Sequence, residues 1–186
     1  MVMMVEIRKR ILKLELIGSA FIIILGSLLH FVFKWFNFFW LVGIFSAVNE
    51  SIWEHLKLAV IPAALWFLIE DKILKYEIPN FVFAKVKGIF LMPFLIVVLF
   101  YSSKAILGTH FLWLDILIFI ISVLLGQLLS YWLMFYWPPV KKFYAVIGLI
   151  LLICLLICFA IFTFYPPKIF LFQDPISGGY GIHLIK

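Results

Sequence analysis

Charge is what this chain has least of. Its 186 residues include 15 Lys or Arg and 9 Asp or Glu, and charged side chains make up 13% of the total. Soluble domains carry ~25%, so a water-facing surface of ordinary polarity is excluded. Strict apolar–polar alternation is also missing, which excludes a transmembrane β-barrel. Cysteine is nearly absent. Cys154 and Cys158 are four apart inside an apolar run, on one helical face, with no further ligand or redox context beside them. No HExxH or other motif whose spacing dictates a metal occurs. Neither an internal repeat nor a low-complexity linker divides the chain, so 1–186 reads as one integral membrane domain.

What is present is apolar surface. Hydrophobic residues make up 67% of the chain and its mean hydropathy is +1.23. A soluble fold of this length cannot hide so much, and in lipid only helices or closed barrels satisfy their own backbone. The fold class is therefore all-α, a polytopic membrane helix bundle. The N-terminal "IRKRILKLELIGSAFIIILGSLLHFVF" has the basic flank of a signal peptide. Its apolar core of about 20 residues is too long for an h-region, and no small-x-small cleavage site follows. It reads as an uncleaved first span.

A span needs about 20 apolar residues. The expected spans are roughly 14–33, 51–70, 88–107, 111–136 and 143–164, followed by a tail at 165–186. The second qualifies only by including the polar SIWEHLK. Before it, "FNFFWLVGIFSAV" (36–48) is too short to cross. It is expected to be an interfacial or re-entrant piece, or the early start of a long tilted helix.

Lysine and arginine are enriched in cytoplasmic loops. With the N-terminus inside and five crossings, the inner face holds Arg8, Lys9, Arg10, Lys13, Lys72, Lys75, Lys85, Lys87, Lys141 and Lys142, and the outer face Lys34, Lys57, Lys104, Lys168 and Lys186. Making 36–69 a re-entrant hairpin abolishes that ten-to-five bias, leaving seven inside against eight. The five-crossing arrangement is preferred, with the C-terminus outside.

This arrangement gathers His30, His55, His110 and His183 on the outer side with Glu50, Glu54, Asp115 and Asp174. Each has an ordinary explanation. Ser51-x-x-Glu54 matches a capping box. Glu50 near a helix start and His30 near a helix end suit the macrodipole, and Asp174 in "DPISGG" suits a turn. Asp115 and His55 resist such readings. If Thr109 caps the fourth span, Asp115 lies six residues in, about 9 Å along the axis, and a carboxylate near hydrocarbon needs a partner or water.

Carboxylate and imidazole groups from several helices can hold Zn²⁺ or a similar divalent ion. Glu54, His55 and Asp115 are the candidate catalytic groups. His55, Glu54, Asp115, His30 and His110 are the candidate metal ligands. Glu50, Trp53, Lys57, Asp174 and Tyr180 are the candidate substrate contacts. The tail, aimed by two prolines and carrying "IFLF" and Tyr180, is expected to fold back over the mouth of the first, second and fourth spans, bringing Asp174 or Tyr180 near His55 and Asp115.

The blocks "LGSLLHF", "FSAVNESIWEHLKL", "FLWLDI" and "FTFYPPKIFLFQDPISGGYGI" together resemble a family of small multi-pass membrane proteins of unknown function from Gram-positive, clostridia-like bacteria. The resemblance covers nearly the whole chain, and its NESxWEHxK block is distinctive. It brings no activity. It implies a bacterial plasma-membrane location and that His30, Asn49, Glu50, Trp53, Glu54, His55, Asp115, Tyr165 and Asp174 lie in defining stretches. The closing "HLIK" extends beyond the YGI ending of the last block. No EE-x-x-x-R occurs, so the CAAX-protease-like membrane family is excluded.

Two functions fit. One is a membrane-embedded, metal-dependent hydrolase or transferase acting on a lipid or lipid-linked substrate. The other is a non-enzymatic small transporter or a subunit of a membrane assembly. The mid-span polar groups Gln127, Ser122 and Ser130 are few, which weighs against a transport pathway. The implied partners are the bilayer and a lipid-like substrate, not nucleic acid.

Overall fold

In a computed structural model, which describes residues 2–74, 78–109 and 111–182, the chain forms α1 (Val2–Trp35), α2 (Trp40–Gly43), α3 (Ile52–Leu74), α4 (Phe81–Leu107), α5 (Leu112–Tyr136) and α6 (Lys142–Phe164). A single 3₁₀ turn, Phe170–Phe172, interrupts the tail. Five of the helices are long and apolar enough to cross a membrane. The expected spans correspond to α1, α3, α4, α5 and α6. Glu15 of α1 and Glu70 near the end of α3 share Lys85 of α4, and His30 of α1 meets His55 near the start of α3. Successive long helices therefore alternate in direction. One end of the bundle carries the N-terminal basic residues (the basic end), the other the C-terminal tail (the tail end).

α1 runs without proline for 34 residues, about 51 Å at 1.5 Å per residue. That exceeds a hydrocarbon core of about 30 Å, so its first turns, with Arg8, Lys9, Arg10 and Lys13, extend beyond the apolar layer. After α1 the chain reverses through Asn37 and Phe38, both in the left-handed region at φ 51° and 59°. Segment 36–48 then makes only one helical turn and leaves Phe36, Phe38, Phe39, Trp40 and Phe45 exposed. This matches a short interfacial or re-entrant piece. An early start to a long helix is excluded, because α3 begins at Ile52.

Two close approaches set the packing. Pro62 sits inside α3 and cannot donate to the Leu58 carbonyl one turn back. Gly26 of α1 packs against that carbonyl, where a Cβ would collide with the oxygen. At the crossing of α4 and α5, Gly88 and Gly126 face each other: a Cβ on Gly126 would stand 2.8 Å from the Gly88 carbonyl oxygen. Ser130 Oγ donates across the crossing to Ala84 O at 3.3 Å. Small residues and interhelical hydrogen bonds replace the hydrophobic drive that lipid removes.

At the basic end, Asn80 fixes the WPPVKK connection. Its Nδ2 donates to Trp137 O and Pro138 O, each at 3.1 Å, and its Oδ1 accepts from Val140 N at 3.0 Å.

Candidate functional site

α3 starts where the sequence places a capping box, but only the serine half forms. Ser51 Oγ accepts from Glu54 N at 3.4 Å. The Ser51 N–H goes to Asn49 Oδ1 at 2.9 Å, not back to the glutamate. Asn49 thus shapes the turn just before the helix and leaves Glu50 and His55 free to meet. Their burial is intermediate, at the tail end of α1 and α3.

His30, Glu50 and His55 form one cluster. His55 Nε2 lies 3.5 Å from Glu50 Oε2, His30 Nε2 lies 3.8 Å from Glu50 Oε1, and the two imidazole centroids are 5.2 Å apart. One ligand atom from each residue fits within 4.8 Å of the others. Three ligands about 2.1 Å from a tetrahedral ion stand about 3.4 Å apart, so the two contacts to Glu50 are near that spacing while the widest pair would have to close to hold an ion.

His55 Nδ1 is 2.8 Å from Ser51 O. A carbonyl only accepts, so Nδ1 carries the hydrogen, and Nε2 is the nitrogen that faces Glu50. This is the outer hydrogen bond that orients metal-bound imidazoles in general. The neighbouring His55 side chain holds the Glu50 carboxyl below its usual range, against the opposing effect of partial burial. At neutral pH Glu50 is therefore an anion, as a ligand must be.

The other expected site residues lie elsewhere. Glu54 and Lys57 form a fully buried ion pair at 2.5 Å. Lys57 Nζ also donates to Gly43 O (2.8 Å) and Thr163 Oγ1 (2.9 Å), and Glu54 Oε2 accepts from Val48 N (3.0 Å). These contacts pin segment 36–48 and α6 onto α3. Asp115 sits in the first turn of α5, because that helix starts at Leu112 and not directly after Thr109. The depth inferred from a Thr109 cap is corrected accordingly, and the position is one the helix dipole favours for an anion. His110 and His183 lie outside the described residues.

The tail does fold back, but over a different part of the bundle from the one expected. Phe172 stacks against Trp53 with centroids 4.7 Å apart, and Trp53 also meets Phe159 and Phe162 of α6. Phe170 meets Tyr101 of α4 at 5.3 Å. Asn49 Nδ2 donates to Gly181 O at 3.0 Å, and Ile182 N donates to Thr163 O at 2.8 Å. The tail therefore seats on α3, α4 and α6, not on the mouth of α1, α3 and α5. Asp174 makes the turn its sequence suggests, accepting from Ile176 N and Ser177 Oγ. Tyr180 pairs with Gln173 across that turn.

A second group escaped the sequence reading. Glu15, Glu70, Lys85 and Gln127 are all buried and converge toward the basic end. In the sequence, Glu15, Glu70 and Lys85 stand near the ends of spans, where an interfacial mixture of charges is ordinary, and Gln127 stands as a lone mid-span polar group. The signal that distinguishes Lys85 is its place in "FVFAKVKGIF", where apolar residues flank it on both sides.

Residues 3–182 match the family described as "Family of unknown function (DUF6512)", and the chain belongs to it. No curated protein and no solved structure matches the chain.

Proposed function

We propose that this family member holds a Zn²⁺-class divalent ion between His30, Glu50 and His55 at the outer membrane interface, as a hydrolase or transferase of a lipid or lipid-linked substrate in a bacterial plasma membrane. The observation that carries the reading is the spacing of three ligand atoms from α1, α3 and the loop just before α3, with the His55 Nδ1 hydrogen bond to Ser51 O orienting one ring. A bound ion in such a three-ligand site keeps a position open for water or substrate and supplies Lewis acidity. The protein supplies the rest. Glu50 brings the charge, Ser51 orients one imidazole, and α1 presents the other from across the helix pair. The exposed aromatics of segment 36–48 stand at the same end of the bundle and suit an interfacial substrate. Glu54 and Lys57 serve as positioning residues, holding the loop that ends in Glu50.

Purified protein in nanodiscs should bind Zn²⁺ stoichiometrically. His30→Ala, Glu50→Gln and His55→Ala should each weaken binding by at least about 10–100-fold, the loss typical even of outer-sphere partners. Undiminished binding in the triple variant, or none in the folded wild type, would overturn the assignment.

The transporter reading gains support from one observation, the buried charged group at the opposite end of the bundle. Chelation separates the two readings, since it should abolish lipid turnover but leave a metal-free transport pathway working.

A further inference from the structure

The charged group near the basic end does not balance. Lys85 Nζ lies 2.9 Å from Glu15 Oε2 and 2.6 Å from Glu70 Oε2, and donates to Gln127 Oε1 at 3.1 Å. α1, α3, α4 and α5 each contribute one member, and each member is at most 3% exposed. Two carboxyl groups thus face one ammonium, and the fourth group is neutral. α6 packs on α4, but its only charged residue is the exposed Lys142 at its start. On α1, Arg8 lies on the same face two turns away, where it covers the rings of Phe135 and Tyr136. On α3, Asp71 and Lys72 follow Glu70 towards the more exposed end of the helix.

The hydrogen bonding is incomplete in a way that complements the charge. Glu15 Oε1 and Glu70 Oε1 are buried without a hydrogen-bond partner, and so is the Trp66 indole N–H. Trp66 Nε1 and Gln127 Nε2 converge beside Gly18, where a Cβ would displace both. An uncompensated carboxylate is among the most expensive groups to keep out of water, and such a group neutralises rather than remain charged. A protonated carboxyl has an O–H to donate, which the two bare carboxyl oxygens lack.

We propose that Glu15, Glu70, Lys85 and Gln127 form a proton-binding site that holds one proton on the carboxyl pair at neutral pH. The Lys85 ammonium balances the remaining carboxylate, and the whole group is then electrically neutral. The site lies about one helical turn inside the end of α3, close enough to the basic-end interface for exchange with water there. It is independent of the metal reading at the other end of the bundle.

Infrared spectroscopy of the intact protein in nanodiscs at pH 7 tests it through the C=O stretch of a neutral carboxyl. The wild type should show one buried-acid band, and Glu15→Gln and Glu70→Gln should each lose it, because either amide leaves a balanced one-to-one pair. Glu54 is already balanced by Lys57 and should contribute nothing. Thermal unfolding gives a second readout. Wild-type stability should fall as pH rises from the ordinary carboxyl range to neutral, where the fold keeps a proton that the unfolded chain has released, and should level off once the site loses it, while either Gln variant should respond less. An unchanged band in both variants, or a folded wild type with neither band nor pH response, would overturn the proposal. So would loss of the band on adding Na⁺ at constant pH, which would assign the site to a metal cation instead.

Discussion

Glu54 shows how a residue in a membrane helix can be read three ways from its neighbours in sequence. As half of a capping box it tolerates glutamine, and as a ligand it loses binding but not stability. The structure gives it a third role, counter-charge to a buried lysine. Glu54→Gln is therefore expected to destabilise the protein by about 3–5 kcal/mol, the usual consequence of stranding one member of a buried pair. Zn²⁺ binding by the fraction still folded should survive. Replacing both partners, as in Glu54→Leu with Lys57→Met, should recover much of the loss. Denaturant unfolding in detergent micelles, with zinc binding measured alongside, checks all three statements. The sequence placed Glu54, His55 and Lys57 correctly as out of character for a span. It could not say which of them face one another, because neighbours 100° apart on a helix reach different parts of the fold. His30 and Glu50 meet His55 through a chain reversal at Asn37 and Phe38 that no spacing rule announces.

Among the elements, the five long helices were legible because length and composition are enough to specify them in lipid. Their ends were less so. α4 starts at Phe81 and not at 88 because Lys85, which looks like a loop residue, is neutralised inside the protein. The contacts between helices rest on details too small for hydropathy to register. Gly88→Leu should force α4 and α5 apart, because the obstacle is the Gly126 backbone, which cannot swing aside as a side chain can. We expect at least the 1–3 kcal/mol typical of overpacking, or more. Gly108→Ala meets nothing within 4 Å and suffers only from φ +74°, so its effect should be near 1 kcal/mol. Unfolding midpoints of the two variants should therefore differ clearly, and a Gly88→Leu protein as stable as Gly108→Ala would contradict the crossing.

For the whole molecule, two of the lysines counted for orientation are buried. Setting aside Lys57 and Lys85 removes one from each face and leaves nine against four. Lys72, Lys87, Lys104, Lys141 and Lys168 are all exposed, so each can report its side. With Cys154 and Cys158 replaced, single cysteines at 72, 87 or 141 should resist an impermeant thiol reagent in intact cells, while those at 104 or 168 should react. The reverse pattern would put the His30–Glu50–His55 cluster on the cytoplasmic side and change its substrate pool. The bond from Asn49 to Gly181 adds a consequence for biosynthesis. It joins positions 132 residues apart, so the turn that presents Glu50 leaves the ribosome well before the tail segment that latches it. At 5–20 residues per second the wait is on the order of ten seconds. Through that interval His30, Glu50 and His55 have all been made but are not yet held in register. The capacity to retain an ion should therefore arrive late, with the docking of the last residues, and nascent chains arrested before Gly181 should insert normally yet hold zinc poorly.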